Sequence, residues 1–144
     1  MQQSVIMRIS CACLLLLAAT VSSQNEHFIK FKNRHIIGSM EVNSCDQVIG
    51  DKGIDKTDSN RCKMEHTFIL ANTDQVNNVC RLAGVPYGSY TLSLQRFDIV
   101  VCTPKNQEAR RPHCQYRGQS FNRNIAFRCE EGFPVHYGRD SIVY

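Results

Sequence analysis

Six cysteines, Cys45, Cys62, Cys80, Cys102, Cys114 and Cys129, are spread along the later part of a 144-residue chain and constrain its fold more than any other feature. They are what remains of eight once Cys11 and Cys13 are assigned to a removable leader. An even set of this kind in a small domain reads as three disulfides. No CxxC pair and no His/Cys cluster argues for zinc, so neither a metal site nor a cofactor is expected. The spread predicts bridges between distant elements rather than closed local loops, each stabilising by roughly 3–5 kcal/mol on the chain-entropy account. Spacing alone leaves about fifteen connectivities open.

The leader is legible on its own. Arg8 supplies a positive n-region, and Cys11 to Ala19 form an apolar run too short to anchor stably in a bilayer. Val21 and Ser23 suit the small-residue positions before a cleavage site. Residues 1–23 are therefore read as a signal peptide and 24–144 as one small domain, secreted and extracellular, with no later segment apolar enough to span a membrane. Losing Arg8 leaves sixteen basic and thirteen acidic residues, a net charge of +3. That mild excess suits an anionic partner met through a local patch rather than a polycationic surface, and it argues against membrane disruption by charge alone.

Periodicity places helices first and strands after. Phe28, Phe31, His35 and Ile36 fall at helical spacing with Lys30, Lys32 and Arg34 around them, predicting a short amphipathic helix that carries His35 near its end. A second helix should begin near Cys45 and stop at Gly50 or Gly53, and a third should start at Thr73 as N-cap. Strands are expected over 64–70, 90–94, 97–102, 113–117, 125–129 and 135–137, with turns at 84–88 and 130–134. The class is α+β with an antiparallel sheet.

Taken singly, His35, His136 and Lys63 are ordinary: a helix histidine that packs or faces water, another between Val135 and Tyr137, and an exposed lysine beside Cys62. Together they are the inventory for acid–base cleavage of a phosphodiester: one group to take a proton, one to give it, and a cation for charge building on phosphorus. Their order is specific. A helix histidine, then Cys62-Lys63 with Thr67-Phe68, then Pro134-Val135-His136-Tyr137, across six spread cysteines, resembles the pancreatic-type ribonuclease (ribonuclease A) superfamily over the whole mature chain. The cysteine count and Cys114-Gln115-Tyr116-Arg117 point to its short, angiogenin-like branch.

The resemblance implies three short helices and a bent antiparallel sheet held by Cys45–Cys102, Cys62–Cys114 and Cys80–Cys129. It implies that His35 is the general base on the ribose 2′-OH, His136 the general acid on the leaving 5′-oxygen, and Lys63 the stabiliser of the pentacoordinate phosphate. RNA would be cut 3′ of pyrimidines through a 2′,3′-cyclic phosphate. Thr67 would pair with the pyrimidine edge and Tyr137 flank it; Lys30 would contact a flanking phosphate, and Glu130 would lie near the second base. The partner is RNA, the protein a monomer.

Several positions depart from the family. Arg34 stands where glutamine is usual, and His66 where asparagine is usual. Gly138 replaces an aspartate that steadies the catalytic imidazole, with Asp140 the candidate substitute, and Glu65 brings a negative charge beside the base pocket. These predict weak turnover. They also leave a second class of function open: an angiogenic or antibacterial secreted protein, acting on a cell-surface receptor or a bacterial surface, in which catalysis is minor. Residues 51–56 lack the arginine cluster that the branch uses for nuclear import.

Overall fold

The computed structural model describes residues 26–140, with side chains as far as Gly138. The leader and its cleavage point lie outside the described residues. Among those described, no helix is long and apolar enough to cross a membrane.

Helix α1 covers residues 26–35 and delivers the chain directly into β1 (Ile36–Ile37). Its apolar stripe is the one the periodicity predicts. Phe31 is buried edge-on against Phe127, at 5.3 Å between centroids, and Phe28 meets Phe133 at 5.1 Å. A short 3-10 turn (Val42–Ser44) precedes α2 (Cys45–Lys52), whose buried face is Cys45 and Ile49. Of the two predicted stops the chain uses Gly53, in the left-handed region at φ 68°, where its N–H closes on the helix's last carbonyls. Helix α3 (Thr73–Val79) starts one residue earlier than expected, with Thr73 already inside it. Its N-cap is Asn72, which accepts from the Gln75 N–H while the Gln75 side chain accepts from the Asn72 N–H.

The strands form two four-stranded sheets. One is ordered β1-β2-β5-β6, with β2 His66–Leu70, β5 Phe97–Pro104 and β6 Tyr116–Arg123. The other is β3-β4-β7-β8, with β3 Gly84–Tyr87, β4 Tyr90–Ser93, β7 Ile125–Glu130 and β8 Phe133–Asp140. All pairings are antiparallel except that of the two-residue β1 with β2. Fold class and architecture are those expected.

Three boundaries differ for local physical reasons. The turn expected at 84–88 contains β3: Pro86 lies on an edge strand, where its missing N–H breaks no ladder, and the reversal moves to Gly88 at φ 62°. The strand expected at 113–117 begins only at Tyr116, because His113 is still closing a turn on Arg110, and it then runs on to Arg123. Gly118 belongs there because a Cβ would collide with the Val42 carbonyl. The turn expected at 130–134 narrows to Glu131 and Gly132, both at positive φ (50° and 85°), as a two-residue hairpin requires.

Two apolar cores fill the space behind the sheets. Phe31, Ile69, Val76, Phe97 and Phe127 anchor one, and Ile49, Ile54, Phe68, Val100 and Tyr116 the other. The three bridges are Cys45–Cys102, Cys62–Cys114 and Cys80–Cys129, the pairing the resemblance implied. Sequence separations of 57, 52 and 49 make each an entropic constraint of roughly 4 kcal/mol on the unfolded chain.

Candidate active site

A cleft of about 440 Å³ opens where α1, the Lys63 loop with the start of β2, and the middle of β8 converge. Its lining includes His35, Lys63, His136, Lys30, Arg34, Thr67 and Tyr137, so seven of the eight residues singled out from sequence meet in one place. Glu130 is not among them; it lies exposed at the end of β7.

His35 is held on all sides. Its Nδ1 lies 2.9 Å from the Thr67 carbonyl. A carbonyl only accepts, so Nδ1 carries the hydrogen and the neutral ring keeps its lone pair on Nε2. His66 stacks on one face, 4.5 Å away at 10°, Tyr137 lies at 5.2 Å and 22°, and Phe31 meets the ring tilted at 5.1 Å. Burial, then the neighbouring His66, then Arg34 and Lys63 push the His35 imidazole down to about 3, against the opposing pull of the Thr67 carbonyl. Arg34 lowers it as a like charge should, but it is a lesser cause than burial and His66.

His66 is itself buried, 3 % exposed, and its Nε2–H donates to the Arg34 carbonyl at 2.7 Å. Burial above all, with Lys63, Arg34 and Lys52 nearby, lowers its imidazole to about 4 despite that bond. Lys63 is half-buried, and burial followed by Arg34 lowers its ammonium pKa. Its backbone is pinned by Tyr116, whose hydroxyl donates to the Lys63 carbonyl at 2.8 Å. Burial, with Asp55 and Asp46 close by, raises that phenol to about 12, so it stays a donor at neutral pH.

His136 is exposed on β8, the outer strand of its sheet, paired with Arg128. Two residues on, the ladder slips between Ala126 and Phe127, and Gly138 is the extra residue. A Cβ there would lie 2.8 Å from the Tyr90 ring and 3.1 Å from the Ala126 carbonyl. The glycine is thus a consequence of packing: Tyr90 occupies the room an aspartate would need. The Asp140 side chain, the candidate substitute, lies outside the described residues.

Sequence reasoning missed His27 and Tyr116, and it noted His66 and Glu65 only as departures. Glu65 is the single carboxylate among the described residues that line the cleft. His27 sits three residues before Lys30 on the same helix face, a spacing that was available as a signal. Tyr116 gave no signal of contact with Lys63, since the two are 53 residues apart. Among the described residues, no three His, Cys, Asp or Glu side chains group as metal ligands.

A half-buried lysine and two histidines, one half-buried and neutral and the other exposed, in a disulfide-pinned α+β domain define the ribonuclease A type of protein. The family model described as pancreatic ribonuclease matches residues 26–138, and the chain belongs to that family. It is 32 % identical over 140 residues to ribonuclease-like 3 of Danio rerio, covering 90 % of this chain and 93 % of that one. Angiogenin-3 of Mus musculus is 29 % identical over 127 residues, covering 85 % and 84 %. Among solved structures, zebrafish RNase5 superposes with a TM-score of 0.77 at 38 % identity, covering 81 % of this chain and 96 % of that one. The chain is accordingly a ribonuclease-type protein of the angiogenin-like kind.

Proposed function

We propose that this protein is a secreted endoribonuclease that cuts RNA 3′ of pyrimidines, without a metal ion, by transphosphorylation to a 2′,3′-cyclic phosphate. The observation that carries the reading is the convergence of His35, Lys63 and His136 on one cleft with Thr67 and Tyr137 beside them. His35 Nε2 takes the 2′-OH proton, and the freed oxygen attacks phosphorus. Lys63 offsets charge on the equatorial oxygens, and protonated His136 gives its proton to the departing 5′-oxygen. The cyclic ester is then hydrolysed with the two roles reversed. Because the 2′-OH is the nucleophile, DNA is not cut.

Thr67 supports the pyrimidine preference through its hydroxyl and backbone, Tyr137 by flanking the base, and Lys30 and Arg34 by contacting phosphate; Glu130 lies further out, toward a second base. The depressed His35 imidazole makes a weak base, since a general base works best with a pKa near the working pH. That observation also favours the second reading, a signalling or host-defence protein in which catalysis is minor. Residues 1–23 direct secretion and are removed after Ser23, giving a monomer that begins at Gln24.

A zymogram in RNA-cast gel with EDTA, wild type beside His136→Ala, tests the assignment. The expected result is a cleared band for wild type only, with cyclic phosphate at the product ends. A band of equal strength for the variant, or a requirement for added divalent cation, would overturn it.

A further inference from the structure

Strand β2 grips the end of α1 twice, through consecutive residues. The His66 side chain donates to the backbone of Arg34, and the backbone of Thr67 accepts from the side chain of His35. The last carbonyls of a helix have no partner within it. Here two of them are taken from outside, Arg34 by His66 and Asn33 by Lys52 Nζ at 2.9 Å. His66 also lies flat on the His35 ring, and it meets Phe68 edge-on at 4.8 Å. One side chain therefore touches both the peptide that carries His35 and the imidazole itself.

We propose that His66 is a positioning residue for His35, clasping the last turn of α1 and fixing the plane of the base imidazole while holding both stacked rings as neutral single tautomers. This rests on the reading of His35 as the base. With Nε2–H committed to Arg34, neutral His66 keeps its other nitrogen bare, and a second proton on either ring would set like charges 4.5 Å apart. The groups that face the pair are mostly cationic. Arg34, Lys30 and His27 come from α1, Lys63 from the loop before β2, Lys52 from α2 and His136 with Tyr137 from β8; among the described residues Glu65 alone is acidic. An extra proton in the stack has little to stabilise it. The clasp thus gives an oriented but poorly basic imidazole, a compromise that a shorter non-titrating amide would not impose.

Two substitutions separate the grip from the ring. His66→Gln keeps an N–H near the Nε2 position and removes the ring and its charge. His66→Phe keeps the ring and removes the donor. The measurements are kcat and KM on a pyrimidine–purine dinucleotide across pH, with NMR titration of ¹³C-labelled histidine rings in the same proteins.

The expected result for His66→Gln is an upward move of the His35 titration and of the acidic limb of kcat/KM, with kcat at neutral pH retained or raised. For His66→Phe, kcat should fall about tenfold with KM little changed, as misorientation of a reacting group predicts. Equal losses in both variants, or a His35 titration unmoved in His66→Gln, would overturn the proposal. Should no form cleave RNA while the His35 titration still moves in His66→Gln, the clasp stands and the assignment of His35 as base falls. If His66→Gln does not fold, His66→Asn takes its place in the titration, with the same two outcomes.

Discussion

The two walls of the cleft solve opposite problems. The wall built by α1 and β2 is buried and cross-tied: His35 is ringed by three aromatic side chains, bonded to Thr67, and backed by a buried His66. The wall built by β8 is an outer strand with two irregularities in its ladder and an exposed His136. The group that accepts a proton on the proposed mechanism is thus held in place and kept neutral by burial and by His66, Arg34 and Lys63 around it. The group that donates one on the proposed mechanism stands exposed to solvent. Two residues of the same type stand in different surroundings, one enclosed by rings and one open to solvent.

The most forceful way to break this contrast is to remove one histidine at a time. On the proposed mechanism, His35→Ala and His136→Ala should each lower kcat/KM on RNA by roughly 10²–10⁴-fold, the usual worth of a positioned acid or base. They should differ in stability. His136→Ala should leave Tm nearly unchanged, whereas His35→Ala opens a gap between Phe31, His66 and Tyr137 and should lower it. Thermal melts beside steady-state rates decide; equal Tm losses would mean the walls are not built differently.

The buried wall should also make the fold sensitive to acid. His35 and His66 have native values near 3 and 4, below their ordinary 6.5. The unfolded chain therefore binds protons that the native state refuses as pH falls below about 6.5. The stability concerned is fully present above that pH and is lost through the window down to about 3. The slope of ΔG against pH between 6.5 and 4 should be shallower in His66→Asn than in wild type. Denaturant melts at half-unit pH steps supply the slopes, and identical slopes would contradict the burial argument.

On the exposed wall, restoring the acid usual in the family should not restore function. Gly138→Asp must drive a Cβ into the Tyr90 ring, for which a cost of about 1–3 kcal/mol is typical of overpacking. Tm should fall with no gain in kcat. In Gly138→Asp with Tyr90→Ala the stability should partly recover and the carboxylate should reach the cleft. A gain in rate from the single substitution would show that Tyr90 moves aside freely.

Much of this wall-to-wall arrangement was legible in the residues. Cysteine count, the His35 stripe, Gly53 and the reversal at Gly132 each announce themselves through a local rule. Pairings between distant segments do not. β3 contains Pro86, which argues against a strand until its edge position is known, and β6 runs through Gly118-Gln119-Ser120, which has no apolar alternation to read. The stacking of His66 on His35 and the grip of Tyr116 on Lys63 join residues 31 and 53 positions apart, and no periodicity encodes them. Residue type located the cleft; topology decided what each residue does inside it.

That difference bears on Arg34, one of the departures noted in the sequence, whose charge adjoins the base. In the fold it ranks behind burial and His66 among the causes that depress His35, and its backbone rather than its guanidinium receives the His66 bond. Arg34→Gln alone should therefore move the acidic limb of the pH–rate profile upward by less than His66→Asn does. The guanidinium can hold phosphate as firmly in the ground state as in the transition state, so its loss should raise KM while barely touching kcat. Combining the two substitutions should raise kcat/KM by roughly tenfold, equal to about 1.4 kcal/mol of barrier. That gain should come from position 66, since loss of the guanidinium alone raises KM. The four proteins, wild type, two singles and the double, form a cycle whose coupling is expected to be non-zero, because the Arg34 charge also lowers the His66 imidazole. A larger shift from Arg34→Gln than from His66→Asn would mean that exposed charge, rather than burial and stacking, governs the base, and would remove the distinction between the two walls.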